Sequence, residues 1–346
     1  MKAAVVSVLI LLVIFVAWPV SADRKDLPGA GGYGGDEDDD NDTKSWFPLD
    51  NQLSLSYYDR ICPDFEKIVA TKVREWTKKD SSLGPALLRL LFHDCGVTWM
   101  VSLYNTFERE DNKSFVNDAS VLLDHEGSER RSPASKTLRG FELIDDIKSE
   151  IEKACPGLVS CTDILTAASR DATFQLGGPY WPNAYGRRDS TDSYAIDVEK
   201  VPSGRRDITA LLETFQSYGL NSRLYNFNAT YGTDPSIDSK YADFLRRKCR
   251  VASETVYLDA ATPVKFDNQY YINLQKNMGV LTTDQELVKD PRTAPLVKAF
   301  AEQPPRMFRQ QFAVSMAKLV NVGVITGEDR VGVIRKVCSK SNSRPY

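Results

Sequence analysis

Residues 87–95 read LLRLLFHDC, and this stretch decides both the fold and the chemistry that we expect. Its leucines recur at three and four positions, which predicts a helix with one buried face. Arg89 and His93 lie four residues apart, so their side chains share one face of that helix. A histidine there can move a proton between the two oxygens of a peroxide, while the arginine stabilises the departing oxygen. Taken alone, such a pair is more often a solvated arginine beside a core histidine.

The same helical period runs along most of the chain and predicts a mainly α protein. Strand signals are sparse, and no internal repeat suggests a solenoid. Three stripes of four apolar residues predict further helices. They are Ile68, Val69, Val73 and Trp76, then Phe141, Ile144, Ile147 and Ile151, and then Ile164, Leu165, Ala168 and Ala172. Helices are also predicted for segments 208–218, 240–250, 267–278, 295–302 and 308–320.

The first 22 residues have the form of a secretory signal peptide. Lys2 precedes a long apolar run, and Val20, Ser21 and Ala22 form the kind of small-residue site that signal peptidase cuts. A membrane anchor is the disfavoured alternative, because the run is short for a bilayer and no second long one follows. Residues 23–50 include GAGGYGGDEDDDNDT and are expected to form a disordered acidic and glycine-rich leader.

The 346 residues carry a formal charge of −3 with scattered basic residues, so no cationic surface for nucleic acid is predicted. We also expect no membrane partner and a monomer. A secreted chain meets an oxidising environment, so the six cysteines are expected first as disulfide partners, with a connectivity that the residues alone leave open. No CxxC pair occurs and the chain has only two histidines, which argues against a zinc site.

Several longer motifs resemble the plant class III haem peroxidases and follow that family's order. They are SYYDRICPDFEKIV at 56–69, LRLLFHDC at 88–95, DASVLLD at 118–124, LRGFELIDDIKSEIEKACPGLVSCTDIL at 138–165, GRRDS at 186–190, TPVKFDNQYYINL at 262–274 and SMAKLVNVGVITG at 315–327. The resemblance implies a mainly α, two-domain plant haem-peroxidase fold over residues 51–346. It also implies haem b and calcium as cofactors, with hydrogen peroxide and small phenolic donors as substrates.

The resemblance assigns roles to single residues. It makes His93 the acid/base histidine, Arg89 the transition-state stabiliser and Phe92 the distal aromatic residue. The carbonyl of Pro202 would help to hold aromatic donors. Hard oxygen ligands for calcium are implied in two sets, which are Asp94, Asp118 and Ser120 on the distal side and Asp259, Thr262 and Asp267 on the proximal side. Without the resemblance, these ligand residues would be interpreted as ordinary cap and loop residues.

The chain departs from the family where Asn221 meets Ser222. The family has a helix and loop there that carry the proximal histidine, whose second ring nitrogen donates to a carboxylate. Asp284 matches that carboxylate, but the histidine and the threonine that follows it are absent. His125 belongs to the distal side by resemblance and is predicted to be a surface-loop residue. The fold is therefore expected to be incomplete on the proximal side, and no haem iron ligand is found.

A second departure is the stretch at about 96–117, GVTWMVSLYNTFEREDNKSFVN, where the family has a short loop. We expect this insertion to split the distal calcium ligands and to remove the cysteine that pairs with Cys95. The proximal gap removes the partner of Cys249, so two free thiols are expected rather than a bridge between them. The resemblance implies the two remaining disulfides, Cys62–Cys155 and Cys161–Cys338.

A third departure concerns the support of His93. Where the family usually has an asparagine that hydrogen-bonds the distal histidine through a glutamate network, this chain offers Ala134, and Glu129 matches the glutamate. Loss of that bond is expected to lower the basicity of His93. Sequons for glycosylation occur at Asn41, Asn112 and Asn228.

Three hypotheses follow for the function. The first is a secreted peroxidase, placed outside the cell, in the cell wall or in the vacuole, that removes hydrogen peroxide while oxidising phenolic donors, as in oxidative stress and cell-wall chemistry. The second is a catalytically dead, secreted peroxidase-like glycoprotein. The third is a mis-spliced gene model of an active peroxidase, in which a retained intron explains the insertion and a skipped coding segment explains the gap.

Overall fold

The computed structural model describes residues 53–104, 117–198, 224, 230–248, 259–262, 265–280, 282–291, 293–321, 323–327 and 332–342. These residues divide into two compact units, each described by itself. The larger unit comprises residues 53–198 and 316–342, and the smaller unit comprises residues 224–315. Within the described ranges, no helix has the length and hydropathy needed to cross a membrane.

The larger unit is built from helices α1 Phe65–Lys79, α2 Leu83–Tyr104, α3 Phe141–Ala154, α4 Cys161–Gln175 and the short α5 Ala195–Val198. Three 3₁₀ turns lie between α2 and α3, at Ser120–Leu122, Glu129–Arg131 and Pro133–Ser135. The smaller unit contains α6 Ser239–Lys248, α7 Gln269–Gln275, α8 Thr282–Lys289 and α9 Ala294–Glu302, followed by α10 Pro305–Asn321, whose last six residues belong to the larger unit. The predicted mainly α fold is confirmed, and the described residues form only isolated β-bridges.

Helix α4 forms the centre of the larger unit, because almost all of its side chains, those from Cys161 to Thr173, are buried. Ser160 caps it by accepting a hydrogen bond from the Asp163 N–H at 3.1 Å. Asp163 then pairs at 2.8 Å with the fully buried Arg187. A buried ion pair of this kind needs both partners in place, so it fixes the loop after α4 against the helix.

Both disulfides that the resemblance implied are present, Cys62–Cys155 and Cys161–Cys338. They close separations of 93 and 177 residues, and all four cysteines belong to the larger unit. Cys95 is a buried free thiol, as predicted. Cys249 lies outside the described residues.

The smaller unit has two apolar clusters. One joins Leu224 to the buried face of α6 at Tyr241, Ala242 and Leu245. The other is aromatic, and its rings lie 4.6–6.0 Å apart in Phe266, Tyr271, Phe300, Phe308 and Phe312. Such edge and tilted ring contacts fix α7, α9 and the start of α10 against one another.

The first residues of the predicted insertion are helical. Helix α2 does not end at Cys95 but continues to Tyr104, so the first residues of the insertion extend an existing helix. Residues 105–116 lie outside the described part of the chain. The predicted helix at 208–218 also lies outside it, as do the signal segment, the leader, the junction of Asn221 with Ser222, and the sequons at Asn41, Asn112 and Asn228.

Candidate active site

Helix α2 carries Arg89, Phe92 and His93, as the residue spacing predicted. His93 is only 3% exposed, and its ring lies 6.1 Å from the Phe92 ring in an edge-on arrangement. Within the described ranges, neither ring nitrogen of His93 has a hydrogen-bond partner. A buried polar group without a partner is costly, so it points to a site kept for a ligand or a reaction.

The electrostatics of this site keep the imidazole neutral. Burial, and after it the positive charge of Arg89, lowers the pKa of His93 to about 3. The imidazole therefore has a free lone pair throughout the physiological pH range, as an initial proton acceptor requires. These two causes differ from the missing asparagine bond, so the effect of that bond on the basicity of His93 stays a prediction.

Arg89 is fixed by a residue that the sequence analysis missed. Its Nη2 donates to Thr137 Oγ1 at 2.8 Å and its Nη1 donates to the Thr137 carbonyl at 3.1 Å. Thr137 lies between the 3₁₀ turn at Pro133–Ser135 and the start of α3. No signal in the sequence pairs Arg89 with a threonine 48 positions away, since this contact depends on tertiary packing.

The 3₁₀ turn where the family usually has an asparagine makes no hydrogen bond to the His93 ring within the described ranges. Ala134 lies in the 3₁₀ turn at Pro133–Ser135 and has no side-chain polar group. Glu129 is buried in the preceding 3₁₀ turn, where its backbone N–H donates to Ser193 Oγ at 3.0 Å. A link between Glu129 and His93 therefore stays a prediction.

Asp94 and Asp118 lie close together in the fold, although the insertion separates them along the chain. The expectation that the insertion splits this ligand set is therefore wrong for the folded protein. The Asp94 carboxylate accepts from the backbone N–H of Ala119 at 2.9 Å and of Val121 at 3.3 Å. Ala119 has a φ of 59°, an unusual conformation for a residue with a side chain, and it bears one of these donors. The turn after the insertion thus returns the chain to the carboxylate.

The charges at this turn suit a bound cation. Burial, and after it the charge of Asp118, raises the pKa of Asp94 to about 8, and burial also raises the pKa of Asp118. The Ser120 N–H donates to Asp118 Oδ1 at 3.0 Å. Two buried carboxylates and a hydroxyl are oxygen donors that calcium accepts. No group of three or more His, Cys, Asp or Glu side chains that could hold a metal occurs in the described ranges.

In the smaller unit, Asp284 is fully buried at the start of α8 and accepts a hydrogen bond from the Tyr270 hydroxyl at 2.9 Å. The sequence analysis matched this carboxylate to an absent histidine and missed the tyrosine. Both histidines of the chain, His93 and His125, belong to the larger unit. The residues of the smaller unit therefore do not fit a haem held by a histidine.

The predicted proximal calcium residues do meet. Thr262 Oγ1 lies 2.6 Å from Asp259 Oδ2 and 3.0 Å from Asp267 Oδ1. Asn273 Nδ2 donates to the other oxygen of Asp259 at 2.9 Å. The group is a compact set of oxygens, although its role in binding calcium stays a prediction.

His125 lies in a half-buried loop of the larger unit, where its Nδ1 is 2.9 Å from the Glu126 carbonyl oxygen. This position agrees with the prediction of a loop residue. Pro202, the predicted donor-binding residue, lies outside the described part of the chain.

Comparisons with known proteins show the family of this chain. The family model described as Peroxidase matches residues 69–223 and 220–303. Peroxidase 7 of Arabidopsis thaliana is 74% identical over 368 aligned positions that cover 100% of both chains. Peroxidase 10 of the same plant is 39% identical over 84% of this chain and 87% of its own, and Peroxidase P7 of Brassica rapa subsp. rapa is 34% identical over 84% and 100%.

These similarities define the class as an oxidoreductase that acts on hydrogen peroxide. The chain belongs to the plant class III peroxidase family. That family in general uses haem and calcium.

The same comparisons bear on the predicted gap. The two matched segments of the family model meet at residues 220–223, where the sequence analysis placed the missing segment. The alignment with Peroxidase 7 also runs over more positions than this chain has residues, so that relative contains residues with no counterpart here. The junction of the two matched segments supports the predicted gap between Asn221 and Ser222.

Proposed function

We propose that this protein acts on hydrogen peroxide through His93 and Arg89, the reaction of its family, while its iron is not held by a histidine. The observation that carries the proposal is the buried, neutral imidazole of His93. Its two ring nitrogens have no partner in the described ranges, and it shares one helix face with a fixed guanidinium. A merely structural histidine would be expected to have a hydrogen-bond partner.

The chain's own residues account for the proton transfers. The neutral His93 ring would take a proton from one peroxide oxygen and return it to the other oxygen, which leaves as water, while bound haem would supply the two electrons that cleavage of the O–O bond needs. The Arg89 guanidinium stabilises the negative charge that develops on the departing oxygen. Haem b is the family's cofactor and calcium its structural ion. Calcium fits the buried carboxylates of Asp94 and Asp118, whereas a histidine-held haem finds no ligand in the smaller unit.

The proposed setting is extracellular. The predicted signal segment at 1–22 and the disulfides both favour an oxidising compartment such as the cell wall. Small phenolic molecules are the proposed electron donors, as the resemblance implies, and Pro202 is the proposed contact for them. A monomer without nucleic-acid or membrane partners remains part of the proposal.

One observation favours a second candidate, a secreted glycoprotein of the peroxidase fold without catalysis. Asp284, which matches the carboxylate that supports the family's iron ligand, accepts a hydrogen bond from Tyr270. The smaller unit has no histidine that could take this place.

The two histidines provide a matched test. The protein is refolded with haemin and calcium, and peroxide-dependent oxidation of a phenol is measured for the wild type, His93→Gln and His125→Gln. We expect His93→Gln to lower turnover by about 10²- to 10⁴-fold, the usual contribution of a general acid/base. His125→Gln should match the wild type. Equal rates in all three proteins, at the level of free haemin, would instead support the second candidate.

A further inference from the structure

Arg89 has little freedom in the larger unit, because one residue holds both ends of its guanidinium fork. Thr137 accepts from Nη2 through its hydroxyl at 2.8 Å and from Nη1 through its carbonyl at 3.1 Å. A planar guanidinium bound at two nitrogens is fixed in direction as well as in place. The two acceptors come from the backbone and the side chain of a single residue, so the orientation of Thr137 constrains that of Arg89.

The segment that carries Thr137 is itself anchored to the start of α2. Arg139 forms an ion pair with Asp80 and donates to Ser82 Oγ at 2.7 Å, just before α2 begins at Leu83. Gly140 has a φ of 106°, and a Cβ there would lie 3.0 Å from Leu87 Cδ2. Only glycine fits this close approach with that backbone conformation. Thr137 is therefore held close to the helix that bears Arg89.

The same segment does not support His93. Residue 134, where the family usually has a supporting asparagine, is alanine, and neither nitrogen of His93 has a partner in the described ranges. The segment therefore contacts the Arg89–His93 pair through its hydrogen bonds to Arg89. We propose that Thr137 is a positioning residue that sets the direction of the Arg89 guanidinium for the reaction with peroxide. This inference rests on the proposed function, but part of its test does not.

The first measurement needs no haem. The full chain is labelled with ¹³C and ¹⁵N at arginine, and the Arg89 side-chain signal is assigned with the Arg89→Lys variant. In the wild type we expect hindered rotation of the Arg89 Nη groups and slow exchange of their protons with water. Thr137→Val should lose both properties, and Thr137→Ser, which keeps the hydroxyl, should restore them. Unchanged Arg89 signals in Thr137→Val would overturn the proposal.

The control variant is Thr77→Val. Thr77 is also half-buried, and its hydroxyl donates within α1 to the Val73 carbonyl at 2.7 Å. If Thr77→Val changes the Arg89 signal as strongly as Thr137→Val, the effect comes from general loosening of the larger unit, and the proposal fails.

The second measurement uses the haemin-loaded protein and separates two reaction steps. A misdirected catalytic group commonly costs one to two orders of magnitude in rate, so Thr137→Val should slow the reaction with hydrogen peroxide by about tenfold. Oxidation of the phenolic donor should not slow, and Thr137→Ser should recover the peroxide step. A faster peroxide step in Thr137→Val would show that Thr137 restrains Arg89 and would overturn the proposal. If the wild type shows no turnover, the proposed function fails, and the arginine signals still decide the role of Thr137.

Discussion

One buried polar residue of the larger unit and one of the smaller unit differ in their hydrogen bonding. In the larger unit, His93 is 3% exposed and has no hydrogen-bond partner in the described ranges. In the smaller unit, the equally buried Asp284 accepts a hydrogen bond from Tyr270. A buried group without a partner lowers stability, and natural structures keep such groups mainly where a ligand or reaction needs them. The difference indicates that the larger unit retains a functional site at His93, while the hydrogen bond to Asp284 stabilises the fold of the smaller unit.

The covalent links follow the same division. Both described disulfides lie in the larger unit, and one of them joins the start of α4 to the segment at 332–342. Loss of this disulfide should produce the largest difference in stability between the two units. We expect the double variant Cys161→Ser and Cys338→Ser to lower the free energy of unfolding of the larger unit by about 5 kcal/mol, because the bridge closes a loop of more than 100 residues.

Urea unfolding followed by tryptophan fluorescence measures this loss. Trp76 and Trp181 belong to the larger unit and residues 204–315 contain no tryptophan, so the signal does not come from the described residues of the smaller unit. Amide hydrogen exchange in α7 and α9 should stay near the wild-type level. If protection in these helices falls by the same amount, the two units do not differ in the way proposed.

The hydrogen bond between Tyr270 and Asp284 provides the next test. Tyr270→Phe removes the donor from a buried carboxylate, so we expect a loss of about 2 kcal/mol in the smaller unit. Its neighbour offers a matched control, because the buried Tyr271 hydroxyl has no partner in the described ranges. Tyr271→Phe removes an unsatisfied hydroxyl and should be neutral or stabilising. Hydrogen exchange of amides in α7 and α8 measures both changes, and equal losses in the two variants would contradict this account.

The smallest expected effect concerns calcium in the larger unit. The pKa of Asp94 is about 8, so its carboxyl is mostly protonated at pH 7 in the metal-free protein. Calcium requires the carboxylate, so binding at pH 7 should release about one proton. As the pH rises toward 8, calcium affinity should increase by up to about tenfold per pH unit, and above pH 8 it should level off. A tenfold change corresponds to about 1.4 kcal/mol in the free energy of binding.

Calorimetry in buffers of different ionisation enthalpy counts the released protons. The raised pKa also means that, without calcium, Asp94 contributes less to stability as the pH rises from about 4 to 8, because the native state holds a proton that the unfolded state has lost. Asp94→Asn should abolish this part of the pH dependence and lower the proton release to the share that Asp118 supplies. Proton release that is as large in Asp94→Asn as in the wild type would assign the effect to another group.

Much of the fold was predictable because the apolar period and the family motifs are local signals. The helix stripes at Val69 and Val73, at Ile144 and Ile147, and at Ile164 and Leu165 all lie on buried faces of the observed helices. Helix α8 was missed because TTDQELVK has too few apolar residues to show a helical period. The disulfide pairs came from the resemblance, since six cysteines alone allow many connectivities.

The site was predictable only where a single element carries it. Arg89 and His93 share one helix, so their spacing determined their common face. The bonds from Arg89 to Thr137 and from Tyr270 to Asp284 join separate segments, and the residue types involved are common. The return of Asp118 to Asp94 across the insertion was not expected either, because sequence distance does not report the path of the chain in space.

Full-length transcripts bear on the origin of the difference between the units. A transcript that joins the codons of FHDC directly to those of the DASVLLD region and restores a histidine codon near residue 221 would identify the present sequence as mis-spliced. A transcript that encodes the present sequence would show that the smaller unit is translated without its histidine.

The central claim is that the distal pair is intact while the iron has no histidine ligand, and the Soret spectrum tests it most directly. The purified chain is refolded with haemin and calcium, with Peroxidase 7 of Arabidopsis thaliana treated in parallel. We predict that this chain lacks the five-coordinate, histidine-type spectrum and that any peroxide turnover depends on His93. A five-coordinate histidine-type Soret band with rapid peroxide turnover would contradict the account, and His125→Gln would then show whether His125 is the ligand.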